Sequence, residues 1–178
     1  MSEEKTPVKQ AVNDERKWYV LYTRSRAEKK ASSELCSIGI EAYVPLQKVL
    51  RFWKDRKKLV EVPLINSYVF VRVDRLERDK VFKCMHIIRY ITFEGKPAAV
   101  PEKQMIDLKW MVSAEIPIEA VMKKFSPGEN VKIAYGPLAG ITGELVCVEN
   151  EKRFLLRIDK IGYSLMAKIP AAWLEKSK

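Results

Sequence analysis

The sequence predicts an α+β protein: an N-terminal split-βαβ sheet with its helices on one face, followed by a small C-terminal β-barrel. Three observations carry this. The stretch Tyr68-Val-Phe-Val-Arg-Val73 alternates as a strand does, with Val69, Val71 and Val73 on one face and Tyr68, Phe70 and Arg72 on the other. Apolar residues at helical spacing follow Ser25 and Pro101. Beyond Pro127 the chain offers only short apolar runs separated by glycine and asparagine turns.

Taken in order, residues 17–23 (Lys-Trp-Tyr-Val-Leu-Tyr-Thr) form an aromatic, β-branched strand. Ser25-Arg-Ala-Glu28 reads as a capping box opening a helix to Ile38, with Ala27, Ala31, Leu35 and Ile38 inward and Gly39 as its stop. Residues 41–44 make a short strand, and 46–64 a long hairpin with Lys54-Asp-Arg-Lys-Lys58 at its tip. After the strand at 67–74, a second helix is expected over 75–85 and another strand over 87–93, with a turn at 94–97. Pro101 suits the first turn of a last helix, in which Met105, Leu108 and Met111-Val112 share one side to about Ser113.

The chain thus divides into a lead-in at 1–15 expected to be disordered, a domain at 16–113, a linker at 114–126 punctuated by Pro117 and Pro127, and a β domain at 127–178. The lone aromatic face follows from this layout. With the helices on the valine face, Tyr68 and Phe70 lie on a face left open, and an exposed aromatic patch is a binding surface.

Composition narrows the function. The net charge is +10, of which residues 1–125 carry +8 and 126–178 only +2, so an anionic partner belongs to the first domain. Cys36, Cys84 and Cys147 are too far apart for a disulfide framework or a zinc site, which fits a reducing cytoplasm. No apolar run is long enough to span a membrane, and the first residues lack a signal-peptide pattern. With one histidine, His86, and no phosphate loop or nucleophile motif, neither an enzyme nor a cofactor or metal site is expected.

Two basic clusters remain. Arg24, Arg26, Lys29 and Lys30 surround the first helix start, where free N–H groups favour phosphate. Lys54, Arg56, Lys57 and Lys58 crowd the hairpin tip. Each is either a solvated charged face or a contact to a nucleic-acid backbone.

These residues resemble a known family. Trp18-Tyr-Val-Leu-Tyr22, the basic helix start and Pro63-Leu-Ile-Asn-Ser-Tyr-Val-Phe-Val71 resemble the N-terminal domain of NusG-type transcription elongation factors. Gly128-Glu-Asn-Val-Lys-Ile133 with Gly136-Pro-Leu-Ala-Gly-Ile-Thr-Gly143 resembles the KOW motif of their C-terminal domain, whose glycines fall at Gly128, Gly136, Gly140 and Gly143. The resemblance implies a ferredoxin-like N-terminal domain and an SH3-like barrel. It further implies docking on the β′ clamp helices of RNA polymerase through Tyr22, Ile65, Tyr68 and Phe70, with the β subunit on the other side of the cleft. Basic residues would face upstream or non-template DNA, with Arg24 and Lys30 foremost, and the KOW domain would meet a small-subunit ribosomal protein or Rho. The implied outcome is suppressed pausing or termination by a cytoplasmic monomer.

Asn66-Ser67 stands where the housekeeping form has Pro-Gly, which resembles the specialised paralogues that serve single operons, often surface-polysaccharide loci. The rival is a direct RNA-binding module, either RRM-like, given Tyr68-Val-Phe-Val-Arg-Val73, or of the ribosomal KOW type.

Overall fold

In the computed structural model, residues 15–53, 55–122 and 125–177 are described, so all but the last residue of the expected lead-in, and Lys54, lie outside the described residues. The first domain starts with β1 (Lys17–Thr23), α1 (Glu28–Ser37) and β2 (Glu41–Tyr43). The hairpin β3 (Leu46–Trp53) and β4 (Arg56–Pro63) follows, then β5 (Tyr68–Val73) and β6 (Ile87–Tyr90). Short strands β7 (Thr92–Phe93), β8 (Lys96–Pro97) and β9 (Ala99–Val100) lead to α2 (Glu102–Ser113). The second part holds β10 (Ile118–Val121), β11 (Glu129–Ile133), β12 (Thr142–Val148), β13 (Glu151–Ile158), β14 (Tyr163–Ala167) and β15 (Leu174–Lys176).

The N-terminal sheet runs β2-β5-β1-β6, with β9 also on β1, and every pairing is antiparallel. In the β1–β5 register Trp18 faces Arg72, Val20 faces Phe70 and Tyr22 faces Tyr68. Residues opposite one another share a face, so this one register sorts the side chains into two layers. Tyr19, Leu21, Val69, Val71 and Val73 pack with Ala31 and Leu35 of α1 and with Val81 and Cys84. Trp18, Val20 and Phe70 pack with Met105, Leu108 and Met111 of α2.

Helices therefore lie on both faces, not on the valine face alone. The spacing of Met105, Leu108 and Met111 marks a buried stripe but carries no sign of which side of the sheet receives it. The capping box also does not form. Arg26 takes a positive φ of 59°, Ala27 precedes α1 without a side-chain cap, and Glu28 points away from the helix start. Its buried carboxylate accepts the Ser67 N–H at 2.6 Å, bracing the loop before β5. Ser67 itself sits at φ 62°, held also by the Thr23 N–H donated to its carbonyl.

Other expectations shift at the edges. Ile38 is exposed and Ile40 takes the buried place, because the turn at Gly39 (φ 83°) swings the chain back toward the sheet. The second helix shrinks to a 3-10 turn at Arg78–Lys83, anchored by buried Val81 alone. Strand 87–93 breaks at Ile91, and β9 appears unheralded beside β1.

The C-terminal strands form one antiparallel sheet in the order β10-β14-β13-β12-β11-β15. Phe154, Leu156 and Ile158 face the main core, while Leu155 faces Val146 and Met166 on the other side. Strand β10 lies within the stretch expected as a linker and pairs with β14 from Ile118 to Val121. Pro117 hid it, since a proline is tolerated just before an edge strand as readily as in a linker.

Glu28→Ala leaves the half-buried Ser67 N–H without its carboxylate partner and should lower stability in urea unfolding by about 1 kcal/mol or more. Lys30→Ala, an exposed position on the same helix, should cost under about 0.5 kcal/mol.

Candidate docking face and nucleic-acid surface

The aromatic face is built by β1 and β5. Tyr22 and Tyr68 meet edge-on with ring centroids 6.0 Å apart, and Arg89 lies 5.4 Å above the Tyr22 ring. Both tyrosines are half-buried, whereas Phe70 and Ile65 are fully buried. The face is not open. The ring of Tyr163, at the start of β14, packs edge-on against Tyr68 at 5.2 Å, so the C-terminal domain sits on it. Burial raises the phenol pKa of both Tyr68 and Tyr163.

α2 carries the rest of the junction. The Trp110 indole N–H donates to the Pro137 carbonyl at 2.9 Å. The Gln104 amide donates to Asp159 at 2.7 Å while accepting the Asp159 N–H at 3.1 Å. Lys103 Nζ reaches Thr142 Oγ1 at 3.5 Å, and its firmer partner is Asp107 one turn on, at 2.6 Å. Lys48 of the hairpin pairs with exposed Glu115, between α2 and β10. A groove of about 760 Å³ runs between the hairpin and β10, floored by Leu46, Leu64, Val112 and Ile118.

Tyr163, Trp110 and Gln104 went unnoticed in the sequence. One signal was available: Trp110 is an aromatic off the buried stripe of α2, at a position a solvated helix face would fill with a polar residue. Nothing comparable marked Tyr163, since a tyrosine opening a barrel strand is ordinary β composition.

Of the cations at the helix start, Arg24, Arg26, Lys29 and Lys30 are all exposed. Lys29 is tied to Glu61 at 3.0 Å, joining α1 to the hairpin. The other three have no ion pair among the described residues and remain available to an anion. On the hairpin Arg56, Lys57 and Lys58 are exposed, and they stand on β4 itself, since the pairing with β3 runs on to Trp53 opposite Arg56.

The four glycines each occupy a crowded or twisted place in the β domain. Gly136 has φ 84° and lies under the Trp173 ring, and a Cβ there would come within 2.4 Å of it. A Cβ on Gly143 would meet the Phe154 ring at 2.5 Å, and one on Gly128 the Leu145 carbonyl at 2.3 Å. Gly140 faces Trp110 across the junction. Around Gly128 a polar clasp closes the domain: Glu144 accepts the Gly128 N–H at 2.9 Å and takes two hydrogen bonds from Arg157. Arg157 also donates to the Phe125 carbonyl at 3.1 Å. The guanidinium holds the Glu144 carboxyl below the usual carboxylate range.

Among the described residues no group of three or more His, Cys, Asp or Glu side chains is placed to hold a metal ion. No helix among them is long and apolar enough to cross a membrane.

The first domain, a sheet with an aromatic second face, agrees with the profile described as "Transcription termination factor nusG", which matches residues 16–109. That span is over half of the chain, and the protein belongs to the NusG family of transcription termination/antitermination factors. It is 25% identical over 171 residues to the transcription termination/antitermination protein NusG of Rickettsia bellii, covering 87% of this chain and 84% of that protein. To the NusG of Campylobacter jejuni it is 29% identical over 138 residues, covering 71% and 77%. A solved structure described as "Domain interaction in Thermotoga maritima NusG" aligns with a TM-score of 0.49 at 20% identity, covering 92% of this chain and 98% of that one.

The depressed Glu144 pKa gives a pH dependence with a defined sign. The clasp stabilises the fold above the unfolded carboxylate value of about 4.3 and is lost as pH falls through the lower folded value. Thermal midpoints followed from about pH 7 down to about pH 3 should fall more steeply in the wild type than in Glu144→Gln, which starts lower at neutral pH.

Proposed function

We propose that this protein is an antitermination factor that binds the β′ clamp helices of RNA polymerase through the face presented by Tyr22 and Tyr68 and backed by the buried Ile65 and Phe70. Bound there, it bridges the cleft toward the β subunit and suppresses pausing or termination on particular operons, such as surface-polysaccharide loci, in the bacterial cytoplasm. Arg24, Arg26 and Lys30 contact the backbone of upstream or non-template DNA, joined by Lys54, Arg56, Lys57 and Lys58 from the hairpin. The β domain meets a ribosomal protein or Rho.

The observation that supports this reading is the cover on the aromatic face. A sheet face satisfied by α2 alone would need nothing more, yet Tyr68 takes the Tyr163 ring from another domain. Such a face has spare affinity for an apolar, helix-bearing partner. The cover also means that the polymerase must compete with the β domain for Tyr68. Binding is then weakened by the fraction of molecules that are closed.

Phe70, a tempting hot spot from sequence, is a core residue here. Phe70→Ala would cost about 3–5 kcal/mol of folding energy and would report on stability, not docking. The informative variants are on the rim of the junction. Tyr163→Ala with Gln104→Ala should bind a stalled elongation complex at least about tenfold more tightly than the wild type. Adding Tyr68→Ala should remove that gain. Failure of both the wild type and the opened variant to bind polymerase, with tight binding to free RNA, would establish the RNA-binding alternative instead.

A further inference from the structure

The β3–β4 hairpin is an arm whose outer half is exposed along both strands. Every described residue from 50 to 59 is exposed, and the arm runs roughly 17 Å from the Lys48–Glu61 pair to the Trp53–Arg56 pair at ~3.3 Å per residue. A free two-stranded ribbon is marginal in water, and natural arms of this kind carry polar surfaces. This one exposes Phe52 at 72% and Trp53 at 61%.

The register sorts the arm into two unlike faces. On one, Lys57 sits 5.3 Å over the Phe52 ring with Leu50 opposite Leu59, so cation and ring partner each other within the arm. On the other, Val49 lies opposite Val60, Arg51 opposite Lys58, and Trp53 opposite Arg56. Arg51, Arg56 and Lys58 have no ion pair among the described residues, and like charges directly opposite one another disfavour the strand pairing. This face thus holds three unpaired cations and one exposed indole, with a like-charge conflict that a bound anion would relieve.

We propose that this face binds single-stranded DNA, with one unpaired base stacked on Trp53 and the flanking phosphates on Arg51, Lys58 and Arg56. An indole offers stacking to any base, and a cation ladder at strand spacing follows a backbone. From the Val49–Val60 pair outward the two strands place no carboxylate or amide on this face to read base edges, so recognition is sequence-tolerant. A duplex hides its base faces and cannot use Trp53. The assignment to DNA rests on the reading that the protein works on transcribing polymerase, where a displaced strand lies within reach; Trp53 and Arg51 add a stacking site to the backbone contacts placed there.

The test is fluorescence anisotropy with labelled dT15, rU15 and a 15-base-pair duplex on the free full-length chain. Trp53→Ala should weaken dT15 binding about 5- to 150-fold while Trp53→Phe keeps most of it. Arg51→Gln with Lys58→Gln should lower the salt slope by about 1.4, from about 0.7 per phosphate on a single strand. All positions are exposed, and unchanged thermal midpoints would show that the variants fold. The proposal is overturned if the wild type does not bind dT15, if Trp53→Ala is neutral, or if Trp53→Phe loses as much as Trp53→Ala. Duplex bound as tightly as dT15 would overturn it too, and rU15 bound more tightly would overturn the assignment to DNA. No polymerase is present, so failure here and failure of clamp docking are read in separate assays.

Discussion

The antiparallel pairing of β1 with β5 fixes nearly everything else in the first domain. With Val20 opposite Phe70 and Tyr22 opposite Tyr68, the large rings share one side and the valines the other. A slip of one residue would exchange the layers and send Phe70 into the space now filled by Leu35 and Val81. The small, branched face can accept a close-packed helix, and α1 with Ala31 and Leu35 supplies it. The broad aromatic face cannot be covered by one helix of twelve residues. It takes α2 along the Trp18 end and leaves the Tyr22–Tyr68 end to the β domain.

The two ends of that cover differ in character. Under α2 the contacts are aliphatic and deep, with Met105, Leu108 and Met111 all buried. At the other end Tyr163 meets Tyr68 edge-on and Trp110 and Gln104 add hydrogen bonds, while the buried core under α2 runs on into that of the β domain. Interfaces between domains are generally more polar than cores, and relative motion is their default behaviour unless the interface is large and hydrophobic. Under the docking proposal, the Tyr163 seam is the contact that a partner for Tyr68 would have to displace. That asymmetry is why Tyr22 and Tyr68, and not Phe70, carry the docking proposal.

Alternation and helical spacing made the strands, α1 and α2 legible, together with the split into a sheet domain and a β domain. What failed were the features set by distant partners. Ser25-Arg-Ala-Glu28 satisfies the local rule for a capping box, but Glu28 is drawn 39 residues away to an N–H that the fold half-buries. The side of the sheet taken by α2 depends on how β9 turns the chain beside β1, and residues 98–101 carry no periodic signal of it. The strand β10 exists because β14 offers an edge, not because its own four residues favour extension. Of the candidate site residues, the faces of Tyr22, Tyr68 and Phe70 were readable from their alternation. Their burial was not, because nothing local to β1 or β5 says that α2 and Tyr163 will arrive.

The two proposed surfaces differ in access, and the difference orders them. The cations at the helix start and the outer hairpin are exposed while Tyr68 is covered, so nucleic acid can be met by the closed protein. The proposed clamp-docking face would become available only once Tyr163 leaves Tyr68. A ligand shifts such an equilibrium only if it prefers one state. The face proposed for DNA carries Arg51, Trp53, Arg56 and Lys58, all exposed in the closed protein, so DNA held there would need no opening of the junction. The base of the same hairpin does span the junction, where Lys48 pairs with Glu115 just before β10. DNA on the arm would therefore act first by holding the protein near polymerase, raising its local concentration, and only through that exposed pair could it loosen the cover. Specificity for particular transcripts would then come from where the arm and the helix start find their DNA, while the aromatic face supplies affinity without choosing among them.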